Sequence, residues 1–197
     1  MNNIAIKGHI RDIEFSHKVG DIEYKKAKVV CPGINGKEDD LLLIRFKSFY
    51  DKYTDGDYIE LQGNLRSYST KKDNKSKVEI YIFTYFDLPN IPCGKTQIDG
   101  RICKKEEICV SNNNKKYIHF ILANNIFNEN KSKISKINSY LPCTAYGEMA
   151  EKIDKLNISD FISIDGELHS HTYKRKSDKE IILAHEIVVN HFTQDEI

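Results

Sequence analysis

Two short phrases occur twice in this chain, in the same order, and that duplication constrains the fold more than anything else in it. Ile4-Ala5-Ile6-Lys7-Gly8-His9-Ile10 returns as Gln97-Ile98-Asp99-Gly100-Arg101-Ile102. Ile59-Glu60-Leu61-Gln62-Gly63-Asn64-Leu65 returns as Ile162-Ser163-Ile164-Asp165-Gly166-Glu167-Leu168. The glycines are offset by 92 residues in the first pair and by 103 in the second, so copy two carries 11 extra residues. Each phrase alternates apolar and polar residues up to a glycine, as a half-buried strand with a bend or bulge does. Two collinear matches indicate a tandem duplication. The prolines of Leu88-Pro-Asn-Ile-Pro-Cys-Gly94 forbid a continuous strand or helix, making 89–94 the linker between domains at 1–88 and 95–197.

The strand candidates of copy one are Asn3–Phe15, Ile22–Cys31, Leu41–Phe46, Tyr58–Ser67 and Lys77–Phe86. Those of copy two are Thr96–Val110, Lys116–Asn124, Tyr140–Tyr146, Asp160–His171 and Glu180–Asn190. A helix is predicted near Glu148–Leu156, and a weaker counterpart at Phe46–Tyr53, where periodicity is low and the N-cap poor. Five strands with a helix between the third and fourth is the element order of the OB fold, a small Greek-key barrel. The fold class is therefore mainly β, with two tandem OB barrels, each carrying that short helix. Another small barrel or sandwich of similar strand count is the alternative, and the helix position disfavours a plain sandwich.

Composition narrows the function. The 197 residues are 40% hydrophobic and 30% charged, enough for ordinary cores, with a formal net charge of +1. Residues 1–92 hold 15 basic and 14 acidic side chains and the remainder 15 and 15, so any polyanion site must come from local clustering. Five cysteines without C-x-x-C spacing argue against a disulfide framework and a cysteine zinc site. The start MNNIAIKGHI lacks the regions of a signal peptide, and no apolar run approaches a membrane span, so a cytoplasmic setting is expected. No nucleophile elbow, P-loop, H-E-x-x-H or dinucleotide-binding glycine pattern occurs. No enzyme, cofactor or metal is expected.

The second copy resembles the bacterial single-stranded DNA-binding protein family, and the first resembles it more faintly. Tyr146-Gly147-Glu148-Met149-Ala150-Glu151 is similar to the family's aromatic-Gly-x-Leu-Ala-Glu junction of third strand and helix. Gly166-Glu167-Leu168 and Gly100-Arg101-Ile102 are similar to its Gly-x-Leu phrases, and Ile121-Leu122-Ala123-Asn124 to its apolar second strand. The resemblance spans Thr96–Phe192 and implies bases stacked on aromatic rings, for which only a π-face is needed. By position those rings are Tyr146, Tyr140 six residues earlier, Tyr173 seven after Gly166, and Phe127, after the second strand and within about one residue of the remaining position. In copy one Phe46 takes the place of Tyr146, with Lys47 where the glycine belongs, and Tyr68 sits five residues after Gly63. The ending HFTQDEI lacks the acidic, phenylalanine-ended tail by which the family recruits partners. Because the family works with four OB folds per assembly, a homodimer is implied.

Phosphates need cations near the rings. The loop after the fourth strand supplies Arg66, Lys71, Lys72, Lys75 and Lys77 in copy one, and Lys174, Arg175, Lys176 and Lys179 in copy two. A lysine-rich hairpin tip can equally be a solvated turn. Tyr140 and Tyr146, an even six residues apart, share one strand face, as a platform or as two core residues. Tyr24, Tyr58, Tyr81, Phe83, Tyr85, Tyr117 and Phe161 are expected as core or cross-strand partners. His169, His171 and His185 could approach one another, but with no third ligand in view they are expected to face solvent. The sequence thus points to binding of single-stranded DNA without sequence specificity, in replication, recombination or mobile-element maintenance, with copy two the stronger site. Single-stranded RNA stays open as a ligand. The competing reading is an OB-fold protein-interaction module, a replication or conjugation accessory.

Overall fold

The computed structural model describes residues 1–33, 38–50, 52–72, 75–130, 133–175 and 179–194, without the side chains of 70–72, 75–77, 127–130 and 133–136. The protein is mainly β. Its strands are β1 (Asn2–Val19), β2 (Ile22–Cys31), β3 (Asp40–Lys47), β4 (Tyr58–Lys72) and β5 (Lys75–Asp87) in the first half. In the second they are β6 (Thr96–Lys105), β7 (Cys109–Val110), β8 (Lys116–Asn130), β9 (Lys133–Tyr146), β10 (Phe161–Lys174) and β11 (Ile181–Gln194). The one α-helix among the described residues, α1 (Glu148–Asp154), lies between β9 and β10. No helix among them is long and apolar enough to cross a membrane.

The pairings repeat from half to half. β1 pairs with β2 and β4, β2 with β3, β4 with β5, and β3 runs parallel to β5 with Ile44 opposite Ile82. In the second half β6 pairs with β8 and β10, β8 with β9, β10 with β11, and β9 runs parallel to β11 with Cys143 opposite Ile187. Each set of pairings closes on itself. The duplicated glycines sit where the rings are tightest. A Cβ on Gly8 would lie 2.2 Å from the Val30 carbonyl oxygen and one on Gly100 2.7 Å from that of Ala123. For Gly63 and Gly166 the obstacles are the carbonyl oxygens of Phe83 and Val188, at 2.4 and 2.5 Å. The registers of β4 on β5 and β10 on β11 shift at these last two glycines, whereas β1 and β6 shift beyond theirs, at Arg11/Glu14 and Ile102/Lys104.

The expected helix of the first half is replaced by a 3-10 turn, Ser48–Tyr50. In the second half Gly147 takes φ +59°, turning the chain out of β9, and its N–H reaches the Lys116 carbonyl at 2.8 Å. Ala150 and Ile153 then bury one face of α1. Lys47, in Gly147's place in the repeated phrase, continues β3 instead, and the chain has no such turn from which to start a helix.

The halves are joined by main chain and by side chains. β1 pairs with β6, Asn2 opposite Ile98 and Ile4 opposite Thr96. Buried Asn2 accepts from Leu65 N–H at 2.8 Å and donates to the Leu65 carbonyl and to Asn124 Oδ1, both at 2.8 Å. Asn124 in turn donates to the Asp99 carbonyl at 2.7 Å. A second junction forms where Asp40 accepts from Ser170 N–H and faces His169 Nδ1 at 2.9 Å, while His185 Nε2 meets the Leu41 carbonyl at 2.9 Å. The buried apolar side chains of both halves form one cluster.

Candidate nucleic-acid interface

Alternation along β9 settles the two readings of its tyrosines. Leu141, Cys143 and Ala145 are buried inside the ring, which turns Tyr140 and Tyr146 outward, 51% and 42% exposed. Partners directly opposite on an antiparallel pair share a face, so Tyr117, opposite Tyr146, and His119, opposite Thr144, lie on that outer surface. Tyr117 packs on Tyr146 with centroids 6.3 Å apart and on His119 at 5.2 Å. Further along, Thr144 donates to Glu186 of β11, and the other oxygen of that carboxylate stands 3.9 Å from His171 of β10. His171 neighbours Tyr173, itself 48% exposed, at 6.3 Å. A row of rings thus crosses four strands from Tyr146 to Tyr173, with Glu186 in its middle. Burial, then the charge of Glu186 and the Tyr117 hydroxyl, push the Tyr146 phenol above its ordinary value.

The first half carries a face of its own, with different residues from those its sequence suggests. Phe46 is 0% exposed and packs edge-on against Phe86 at 4.9 Å. It belongs to the core with Leu42 and Ile44, and cannot receive a base. In strand register Lys47 stands where Tyr146 does: Tyr24 lies opposite Lys47 as Tyr117 lies opposite Tyr146. The outer rings are instead contiguous from His17, stacked 4.7 Å from Tyr24, through Phe83 and Tyr85 to Tyr50 and Phe49. Cations lie across them. The Arg66 guanidinium is 3.9 Å above Phe83, Arg45 is 4.2 Å above Tyr81 and 5.5 Å from Tyr68, and Lys47 is within 6 Å of Phe49 and Tyr85. Arg45 is also paired with Glu79. Burial against these rings, partly offset by Tyr81 and Tyr85, lowers the pKa of Arg66 from its ordinary value.

The matches to known proteins bear on the second of these faces. A model of the single-strand binding protein family matches residues 93–194, more than half of the chain. The chain belongs to the single-strand binding protein family. Single-stranded DNA binding, in general terms, comes with that membership, and the family is one of binding proteins rather than enzymes. A search of curated protein sequences gives no match. Among solved structures, the wild-type single-stranded DNA-binding protein of Thermus aquaticus superimposes with a TM-score of 0.73 at 13% identity, over 100% of this chain and 94% of that one. A deletion mutant of the same protein gives 0.73 at 14%, over 100% and 95%. At such identity the likeness shows the fold alone.

In this single-strand binding family member the structure brings together Tyr140, Tyr146 and Tyr173 on the second outer face, and Arg66 and Tyr68 on the first. Lys174 and Arg175 end the β10 side of the β10–β11 hairpin beyond Tyr173, Arg175 3.2 Å from Glu180. Phe127 lies in β8 opposite Lys136, still within the strand rather than after it. The side chains of Phe127, Lys71 and Lys72, and Lys176 altogether, lie outside the described residues. Tyr24, Tyr81, Phe83, Tyr85, Tyr117, Arg45, Lys47 and Glu186 were not among the expected site residues, although Arg45 and Lys47 in Asp40–Lys47 do mark the wet face of β3. Of the histidines, His171 is exposed as expected, but His169 is held by Asp40 and His185 is buried. Burial lowers the His185 pKa. Among the described residues no group of three or more His, Cys, Asp or Glu side chains could hold a metal ion.

Proposed function

We propose that the two halves are tandem OB barrels, with domains at 1–88 and 95–197, and that both outer faces bind single-stranded DNA without strong sequence preference. The observation that carries this reading is the pair of outward aromatic rows, one in each half, which correspond in strand register at Tyr24 of β2 and Tyr117 of β8. A ring offers its π-face to any base, contributing about 1–3 kcal/mol per stacked base. Tyr140, Tyr146, Tyr117 and Tyr173 serve the second half. Tyr24, Tyr85, Phe49 and Tyr68 serve the first, with Arg45, Arg66 and Lys47 placed for phosphates and Phe83 buried beneath the Arg66 guanidinium. The cations of the first face lie against its rings, Arg45 over Tyr81, Arg66 over Phe83 and Lys47 beside Phe49 and Tyr85. Lys174 and Arg175 extend the second face toward the backbone of the strand. Two chains would assemble as a homodimer, and the role lies in replication, recombination or mobile-element maintenance.

Fluorescence anisotropy of a labelled mixed-sequence single strand tests this, with duplex DNA and RNA alongside. Tyr146→Ala combined with Tyr173→Ala removes two stacking rings, and affinity is expected to fall by roughly 25-fold or more, two stacks at the low end of the range. Phe49→Ala with Tyr85→Ala should do the same from the first half. Affinity must also fall steeply as salt rises, because neutralised phosphates release counterions. A protein-interaction module would show neither the ring dependence nor the salt slope, and unchanged affinity in both double variants would falsify the stacking reading.

A further inference from the structure

A carboxylate in the middle of a surface for polyanions is an electrostatic handicap unless it has a use. Glu186 is such a group, with its side chain 20% exposed between the Tyr146–Tyr117–His119 and His171–Tyr173 ends of the second row. It is also firmly held. The Thr144 hydroxyl gives its only proton to Glu186 Oε2, so its lone pair must accept from His119 Nδ1 at 2.8 Å. That fixes the proton of a neutral His119 on Nδ1 and the carboxylate on one rotamer. Oε1 has no hydrogen-bond donor among the described residues, and His171 Nδ1 stands off at 3.9 Å. Glu186 also lines a recess of about 220 Å³, together with His119, Ile121, Pro142, Lys104 and Glu106. This is smaller than the roughly 300–1,000 Å³ of sites for larger ligands. It has one apolar wall, Ile121 and Pro142, one imidazole, and a lysine at the rim paired with Glu106 at 3.4 Å.

We propose that Glu186 is a base-reading residue, and that this recess takes a nucleobase whose exposed edge carries an exocyclic amino group. This inference rests on the single-strand binding reading above. A carboxylate oxygen can only accept. Cytosine presents an N4 amino group and adenine an N6 amino group, either of which donates to it, whereas thymine presents the O4 carbonyl at the corresponding edge. Thymine therefore sets one acceptor against another in a partly desolvated recess. Cytosine and thymine are both pyrimidines, so comparing them separates edge chemistry from ring size. The bias is superimposed on stacking that is indifferent to sequence, and it belongs to the second half alone, because in strand register Tyr81, under the Arg45 guanidinium, holds the place of Glu186 in the first.

The test uses the full chain with dC15 and dT15 oligonucleotides at one salt concentration, for the wild type, Glu186→Gln and Thr144→Val. The wild type is expected to favour dC15 by about fivefold or more, the low end of discrimination by a base-edge contact. Glu186→Gln removes a negative charge and strengthens binding to both, but its amide donates as well as accepts, so the dC15:dT15 ratio should fall to within about twofold. Thr144→Val frees the carboxylate from its rotamer and should lower the ratio while Glu186 is still present. Thermal unfolding of each variant confirms that it is folded. Binding by the wild type with no preference, or a preference that survives Glu186→Gln, overturns the inference and leaves single-strand binding intact. No binding of either oligonucleotide by the wild type overturns single-strand binding itself, and this inference with it.

Discussion

Asn2 offers the sharpest test of how the two halves are held together. Its amide makes three hydrogen bonds at 2.8 Å, two to the main chain of Leu65 in β4 and one to Asn124 in β8. Asn2→Ala leaves Leu65 N–H, Leu65 C=O and Asn124 Oδ1 without those partners in a site where Asn2 is only 9% exposed. Each stranded buried group costs about 1–3 kcal/mol. Water entering the truncated site and remaining carbonyl contacts keep the total near the lower end, about 3–4 kcal/mol. For a chain of this size that corresponds to about 10 °C in Tm. Urea unfolding followed by circular dichroism reads the change directly, and a two-step curve would show the halves unfolding separately. Asn2→Asp keeps the volume but loses both donors and turns a carboxylate toward two oxygens, so it must cost at least as much as alanine at neutral pH. A loss below about 1 kcal/mol for Asn2→Ala, or an aspartate milder than the alanine, would refute the claim that this amide ties β1 to β4 within the first half and to β8 of the second.

Other consequences can be checked as directly. Gly166→Ala places a methyl 2.5 Å from the Val188 carbonyl oxygen and 2.9 Å from Ile187 Cγ2, so β10 and β11 must part; a destabilisation of about 1–3 kcal/mol is expected by chemical denaturation. Arg66→Lys keeps the charge but loses the flat guanidinium 3.9 Å above Phe83, and binding of a labelled single strand should weaken about fivefold, where a purely coulombic role predicts no change. The junction of Asp40, His169, Ser170 and His185 should loosen in acid. Burial raises the Asp40 carboxyl, but hydrogen bonds from His169 and Ser170 outweigh it and hold the pKa below the ordinary 3.8. Its stabilisation is complete above that value and is lost as pH falls through the lowered one. His185, buried and held below the ordinary 6.5, contributes in the same direction, its share draining as pH falls below 6.5. A urea midpoint that stays flat from pH 7 to pH 3 would contradict this assignment, and Asp40→Asn should remove the lower part of the decline.

Most of the chain path was legible because the alternation of short strands is written locally. Ile22–Cys31 is an element to the residue, and the four duplicated glycines mark the close approaches of corresponding strands. The hairpins run further than expected, β8 to Asn130 and β4 to Lys72, because their outer parts carry no alternating signal: β4 ends in a polar run, and the apolar residues of outer β8, Ile126 and Phe127, are adjacent. The faces were harder. In β3 the aromatic aligned with Tyr146 by motif is Phe46, yet Arg45 and Lys47 on either side of it send it inward. Tyr24 and Tyr85 read as ordinary strand aromatics, and Phe83 between them is one, buried under a guanidinium from β4. Glu186 was invisible for a related reason: Thr144, His119 and His171 reach it from three other strands, at separations of 42, 67 and 15 residues.

The pairing of β1 with β6 puts two platforms within one polypeptide. An assembly made of identical chains has to write every change into all of its sites at once. Here Lys47 and Tyr146 occupy matching places and need not agree. On the proposed reading one face becomes a grip and the other a reader, and a strand lying across both meets them in a fixed order. Such a complex has a direction along its DNA that a symmetric ring of sites lacks.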